Sequence, residues 1–255
     1  MTVTTKSAAE IRKLRRAGAI VGDTLRMVRQ FAQPGVKLKD IDRAAEALIR
    51  SRGAHPTFKG YHGFPAALCL SVNDQVVHGI PSDRALVEGD ILSIDCGATL
   101  DGYVGDSAIT VAVGEVSSKL QTLLRTTRAS LMAAIESARP GATIGDLGAA
   151  VEAVVSPHGY GIVREYCGHG IGTALHEDPQ VPNFGNKGTG PVIQSGWCLA
   201  IEPIVTMGSN EVVTKSDGWT VVTRDGGAAA HFELAIAVVD GDNIVLTRTS
   251  DDELP

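Results

Sequence analysis

Cysteine, aromatic residues and long apolar runs are all scarce in this chain of 255 residues. The four cysteines, Cys69, Cys96, Cys167 and Cys198, contain no Cys-x-x-Cys pair and follow nothing that resembles a signal peptide. That argues against a zinc ribbon or a disulfide framework and favours reduced thiols in the cytoplasm. No stretch approaches the roughly 18 consecutive apolar residues of a membrane helix, and the most apolar one, residues 228–239, is interrupted by His231 and Glu233. A Gly-x-Ser-x-Gly elbow, a Gly-Lys-Ser/Thr phosphate loop and a His-Glu-x-x-His helix are all missing, which sets aside three common hydrolytic and nucleotide chemistries. His231-Phe232-Glu233 matches the His-x-Glu of zinc deaminases, but without the Pro-Cys-x-x-Cys that accompanies it there.

What the chain does contain describes an ordinary folded protein of one large domain or two small ones: 44% hydrophobic residues, 20% charged residues and 29 glycines. The glycines follow no Gly-X-Y period, so they point to tight turns and close backbone approaches. The net charge of −6 is unevenly spread. Residues 1–128 carry 17 basic and 13 acidic groups, and residues 129–255 carry 6 and 16. An acidic half suits cation binding as well as it suits solubility.

Periodicity divides the chain into two similar runs. Ile11, Leu14, Gly18, Val21, Leu25 and Val28 recur at helical spacing, predicting a helix over 8–31 rather than a removable basic leader. A second helix is predicted from Leu38 to near Gly53. Strands follow at 68–72, 91–98 and 103–113, with Asp101-Gly102 as a hairpin turn. Helical patterns return over 118–138 and 144–156, and strands again over 197–247. Helix, helix, strands, repeated, predicts an α+β fold of two related halves, about 8–113 and 118–247, rather than an alternating parallel sheet. No linker divides them, so the expectation is one domain over 1–255.

Asp95 and Asp106 stand in strands too apolar to bury a lone carboxylate cheaply. With the turn at Leu100-Asp101 they are directly opposite; with the turn at Asp101-Gly102, Asp106 faces Gly97 and Asp95 is its diagonal neighbour. Either register puts both on one face of the sheet, about 5 to 8 Å apart at Cβ. Like charges so close share a proton, find a cation or face water. Glu202 and Glu233 repeat the pattern in the second half, and His169, between glycines in Gly168-His169-Gly170-Ile171-Gly172, adds an accessible imidazole. Such an oxygen-rich set suits a pair of divalent ions such as Mn²⁺, Fe²⁺ or Co²⁺ better than a structural zinc, and implies metal-assisted hydrolysis.

In these contexts the ordered set Asp95, Asp106, His169, Glu202, Glu233 closely resembles the type I methionine aminopeptidases, in their minimal bacterial form. Further matching pieces are Tyr61-His62-Gly63-Phe64-Pro65, Ser71-Val72-Asn73 through Val77-His78-Gly79-Ile80-Pro81, Gly102-Tyr103-Val104-Gly105-Asp106 and His176 through Pro182. The resemblance implies the pita-bread, or creatinase-like, fold, an antiparallel sheet covered by helices with a pseudo-twofold relation between halves. It implies removal of the initiator methionine from nascent chains with a small second residue. It assigns the five residues as ligands of two divalent ions, with cobalt, manganese or iron foremost and zinc or nickel as alternatives. Glu202 is also the implied proton shuttle, a task suited to a carboxylate. His176 is expected near the scissile carbonyl oxygen and His78 near the departing amine. The competing structural readings are a turn histidine before Gly79 for His78, and pairing with Glu177 or Asp178 for His176. Tyr61, Phe64, Cys69, Leu175 and Trp219 match the methionine pocket.

Three positions depart from the family pattern: Val104, Leu234 and Ala235 stand where histidine, histidine and threonine are frequent. Loss of outer hydrogen bonds at such sites costs about 10- to 100-fold in metal affinity or activity. Prolidases and aminopeptidase P, which share the five ligands, are rivals, as is a non-enzymatic module of the same fold. Expected partners are peptide N-termini and, through the basic first helix, transient contact with ribosomal RNA. A monomer is expected, with neither membrane nor sequence-specific nucleic-acid binding.

Overall fold

The first helix, α1 (Ala8–Phe31), starts where Ser7 and Glu10 cap each other: the Glu10 amide donates to Ser7 Oγ at 3.3 Å and the Ser7 amide to Glu10 Oε2 at 2.8 Å. Its apolar stripe, Leu14, Val21, Leu25 and Val28 included, is buried. Helix α2 (Leu38–Ser51) follows the Pro34-Gly35 break, and α3 (Ser118–Ser137) and α4 (Ile144–Val155) open the second half. A computed structural model of the chain describes residues 3–247. Residues 1, 2 and 248–255, which fall within the 1–255 span expected above, lie outside the described residues.

The first half carries β1 (His55–Pro56), β2 (Leu68–Val72), β3 (Gln75–Val77), β4 (Ile91–Leu100) and β5 (Tyr103–Ala112). The second carries β6 (Gly161–Ile162), β7 (Gly168–Gly170), β8 (Glu177–Val181), β9 (Cys198–Ile201) and β10 (Ile204–Thr206). It continues with β11 (Val212–Thr214), β12 (Val221–Thr223), β13 (Ala229–His231), β14 (Glu233–Ala237) and β15 (Ile244–Val245). A nine-stranded sheet runs β1-β4-β5-β14-β9-β7-β8, with β2 also on β4 and β15 also on β14. Two three-stranded sheets, β13-β10-β6 and β11-β12-β3, flank it. The long sheet is antiparallel throughout, and the halves join where β5 pairs β14. This is the pita-bread arrangement expected from the sequence, with helix pairs preceding the strands in each half.

Register decides what the sheet presents. The hairpin turns at Asp101-Gly102, whose φ angles of 50° and 78° are the left-handed values of a two-residue turn. Gly97 therefore faces Asp106, and Asp95 faces Ala108. Ala108 in turn faces Glu233, Ala235 faces Ala200, and Ala200 faces His169. Since side chains alternate along a strand, Asp95, Asp106, Glu233 and His169 all emerge on one face. Ile94, Cys96, Ile109, Leu234 and Ile236 emerge on the other, in one buried cluster with Leu123, Leu131 and Leu147 of α3 and α4.

Two glycines set how closely α1 approaches. A Cβ on Gly105 would lie 2.6 Å from the Gly18 amide nitrogen, and one on Gly18 would lie 2.2 Å from the Leu246 carbonyl oxygen. Helix, sheet and the segment just after β15 touch backbone to backbone only because both side chains are absent.

Candidate active site

Glu202 and Glu233 sit where two paired strands bend together. Pro203, with no N–H, ends β9 and separates it from β10. Phe232 separates β13 from β14 at the same level, its amide reaching the Pro203 carbonyl at 3.3 Å. The continuing β9-β14 register sets Glu202 opposite Glu233, on the face that carries Asp95, Asp106 and His169. Ser107 Oγ donates to the Glu233 carbonyl at 2.5 Å and pins the junction between halves. Small side chains on this face, Ala108, Ala200 and Ala235, leave the space above the sheet to the carboxylates.

That space is a cavity of about 290 Å³. Its floor holds Asp95, Asp106, His169, Glu202 and Glu233; His78 and His176 stand at its sides; Tyr61, Phe64, Cys69, Leu175 and Trp219 form its apolar end. Every residue singled out from the sequence thus reaches one chamber. Asp106, His169 and Glu233 each offer a ligand atom within 4.8 Å of the others. His169 Nε2 lies 3.8 Å from Asp106 Oδ2 and 3.7 Å from Glu202 Oε1, while Nδ1 is 2.9 Å from the Gly170 carbonyl. A carbonyl accepts only, so Nδ1 carries the proton and Nε2 turns a lone pair toward the carboxylates.

Burial drives the electrostatics. It pushes the Asp95 carboxyl up to about 7. It raises Asp106, Glu202 and Glu233 too, each further raised by neighbouring carboxylates. Burial lowers His169 and His78 to about 4, and both also feel the nearby His176. Asp95 Oδ1, Asp106 Oδ1 and Glu233 Oε1 are buried without a hydrogen-bond partner among the described residues. Oxygen atoms so placed, beside an imidazole lone pair, fit divalent cations: a positive charge at their centre would satisfy the free lone pairs and remove the repulsion.

The two side histidines are held differently. His78 has φ 58°, a left-handed value uncommon for a residue with a Cβ, and its ring meets Tyr166 edge-on with centroids 5.3 Å apart. His176 Nδ1 is 2.9 Å from the Tyr61 hydroxyl, and its ring is 4.4 Å from that of His169. Glu177 turns away to Lys6, so His176 does not pair with its acidic neighbour. At the apolar end Phe64 meets Trp219 edge-on at 5.1 Å.

Phe58, His62 and His231 received no role in the site from the sequence. Phe58 and His62 line the cavity, and a Cβ on Gly97 would stand 2.7 Å from the Phe58 ring, so that glycine makes room for it. His231 Nε2 is 3.6 Å from Glu202 Oε2. Alternation two residues before Glu233 was the available signal for His231; nothing local announced Phe58. Of the three departures, Leu234 points to the helix-covered face and cannot touch the carboxylates. Val104 and Ala235 lie in the apolar cluster on the cavity side.

The profile of metallopeptidase family M24 matches residues 12–240. The chain is 49% identical to a methionine aminopeptidase of Clostridium acetobutylicum over 243 residues, which is 95% of this chain and 97% of the relative. It is 46% identical to methionine aminopeptidase 1 of Mycobacterium tuberculosis over 249 residues, 95% of this chain and 94% of that one. The crystal structure of methionine aminopeptidase from Thermotoga maritima superposes with a TM-score of 0.95 at 42% identity, covering 97% of this chain and 100% of that chain. Prolidase from Pyrococcus furiosus shares the fold, with a TM-score of 0.78 at 22% identity over 96% of this chain and 66% of that chain. With its acidic chamber at the junction of two pita-bread halves, and with relatives this similar along nearly the whole length, this chain belongs to metallopeptidase family M24.

Proposed function

We propose that this protein removes the N-terminal methionine from polypeptides whose second residue is small, by metal-dependent hydrolysis of the first peptide bond. The observation that carries the reading is the chamber itself, where four carboxylates and an imidazole lie beneath an apolar end that a thioether side chain would fill. Asp95, Asp106, His169, Glu202 and Glu233 would hold two divalent cations, with cobalt, manganese or iron foremost and zinc or nickel as alternatives, which would supply Lewis acidity and make an attacking water more acidic. Glu202 takes the proton of that water and passes it to the departing amine, a role supported by its place on the chamber floor, with its carboxylate oxygens 3.7 Å from His169 Nε2 and 3.6 Å from His231 Nε2. With the Tyr61 hydroxyl donating to Nδ1 of His176, Nε2 carries the proton and donates to the scissile carbonyl oxygen. His78, kept neutral by burial, faces the departing nitrogen. Tyr61, Phe64, Cys69, Leu175 and Trp219 hold the methionine side chain.

The same reading makes 1–255 a single catalytic domain, because neither half, 8–113 nor 118–247, supplies all five residues assigned to the metals. It also puts the protein in the cytoplasm as a monomer acting on nascent chains. No helix among the described residues is long and apolar enough to cross a membrane.

A panel of Met-X-peptides with X from Gly to Leu, beside X-Pro peptides, tests the activity in the metal-loaded protein. Cleavage after methionine that declines as X grows is expected, whereas cleavage confined to bonds before proline would transfer the protein to the prolidase branch. Arg12, Lys13, Arg15 and Arg16 all stand exposed on α1, which supports contact with ribosomal RNA. Co-sedimentation with ribosomes in low salt, lost as salt rises, is the expected result; its absence in low salt ends the idea.

A further inference from the structure

Lys6 lies outside the chamber, yet it is 8% exposed, an unusual burial for a lysine without a task. Its Nζ meets Glu177 Oε2 at 2.6 Å and also donates to Thr4 Oγ1, whose hydroxyl donates to the same carboxylate oxygen at 3.0 Å. The other oxygen, Oε1, accepts the amides of Thr173 and Ala174 at 2.9 and 3.2 Å, closing the turn that carries Leu175 and His176. Gly172 leaves room for the arrangement, since a Cβ there would lie 2.5 Å from Lys6 Cε and 2.3 Å from Glu177 Oε1. The Lys6 amide donates to the Gly196 carbonyl at 2.8 Å, anchoring the segment before α1 onto the second half. Leu175 is held by burial in its apolar cluster. His176 is exposed, and its hydrogen bond with Tyr61 leaves the backbone turn as its second constraint.

We propose that Lys6, acting through Glu177, is a positioning residue that sets His176 over the scissile carbonyl. The inference rests on the role given to His176 above. Burial by itself would raise the Glu177 carboxyl, but Lys6 and the turn amides hold it below its ordinary range, so the carboxylate that folds the turn is the charged form. Replacing the ammonium by an apolar chain of similar length removes the charge that keeps it so, and the turn relaxes.

The test is a double-mutant cycle in the metal-loaded protein: Lys6→Met, His176→Ala and both, with kcat and KM on a Met-Ala peptide and Mn²⁺ affinity by calorimetry. Lys6→Met is expected to lower kcat about tenfold or more while KM and metal affinity change little. In the His176→Ala background the same substitution is expected to cost less than about twofold, because the group it positions is gone. Glu177→Gln, which keeps an acceptor for the turn amides, is expected to match Lys6→Met and serves if that variant folds poorly. Equal losses in both backgrounds, or wild-type kcat in both Lys6→Met and Glu177→Gln, would overturn the proposal. A wild-type protein that leaves Met-Ala intact would instead strike at the hydrolytic reading itself.

Discussion

Glu202→Gln should lower kcat on a Met-Ala peptide by about three orders of magnitude, within the range of about 10² to 10⁴ that a positioned acid-base group contributes. Gln has nearly the shape of Glu, so the bend at Pro203, the Asn183 side-chain bond to the residue 202 carbonyl at 2.9 Å and the packing of the junction are all kept. What disappears is the ability to take up a proton and return it. The amide also spares the fold a carboxyl that burial and Asp95 make costly to ionise, so folding should not suffer and the metal-free variant should melt no lower than the parent. Steady-state kinetics at saturating Mn²⁺, with metal content measured in parallel, separates lost proton transfer from lost metal. Activity within tenfold of wild type would remove Glu202 from the proton path.

Chelation should reduce hydrolysis to background, with Co²⁺, Mn²⁺ or Fe²⁺ restoring it, and should leave a protein whose stability falls as pH rises. Asp95 stays protonated in the fold up to about 7, against roughly 3.9 for an unperturbed aspartate. Asp106, Glu202 and Glu233 shift in the same direction. Between those values the folded chain binds more protons than the unfolded chain, so the carboxylate contribution is full at acid pH and is lost as pH rises. Burial of neutral His169 and His78, held near 4, and of His231, held near 3, works the other way. Unfolded histidine charges near 6.5, so these groups cost stability only below that pH.

Above pH 6.5 the carboxylates lead, and toward pH 8 the cysteine thiols, which burial also raises, add a smaller loss in the same direction. The melting temperature of chelated protein should therefore drop from pH 6.5 to 8, and added Mn²⁺ should raise it more at pH 8 than at pH 6.5. Asp106→Asn removes one of the repelling charges together with an oxygen assigned above to the metals. It should melt higher than wild type in chelator at pH 8, gain far less from Mn²⁺, and be nearly inactive. Identical melting of chelated and metal-supplied wild type at pH 8 would show that these carboxylates do not gather a cation.

Much of the site is legible in the chain because its signals are local. Asp95 and Asp106 sit on one hairpin whose turn residues are adjacent, and alternation alone places both on one face in either register. The apolar neighbours of Glu202 and Glu233 announce buried carboxylates within six-residue windows. His176 is different: whether it would pair with Glu177 depended on Lys6, 171 residues from Glu177 along the chain. Phe58 became a wall of the chamber only because Gly97, across the β1-β4 junction, has no side chain to exclude it.

Periodicity, turn chemistry and the cost of burying charge were enough to predict an α+β chain, to pick out five side chains that the fold gathers around one cavity, and to point to hydrolytic chemistry. The tertiary structure alone decided the β5-β14 register that faces one acidic pair toward the other, the bend that aims Glu202 beside His231, and the clamp from Lys6 to the His176 turn. Local patterns report how a side chain is oriented on its own strand or helix. Contacts between residues more than a hundred positions apart depend on how whole elements pack, which no short window of sequence contains.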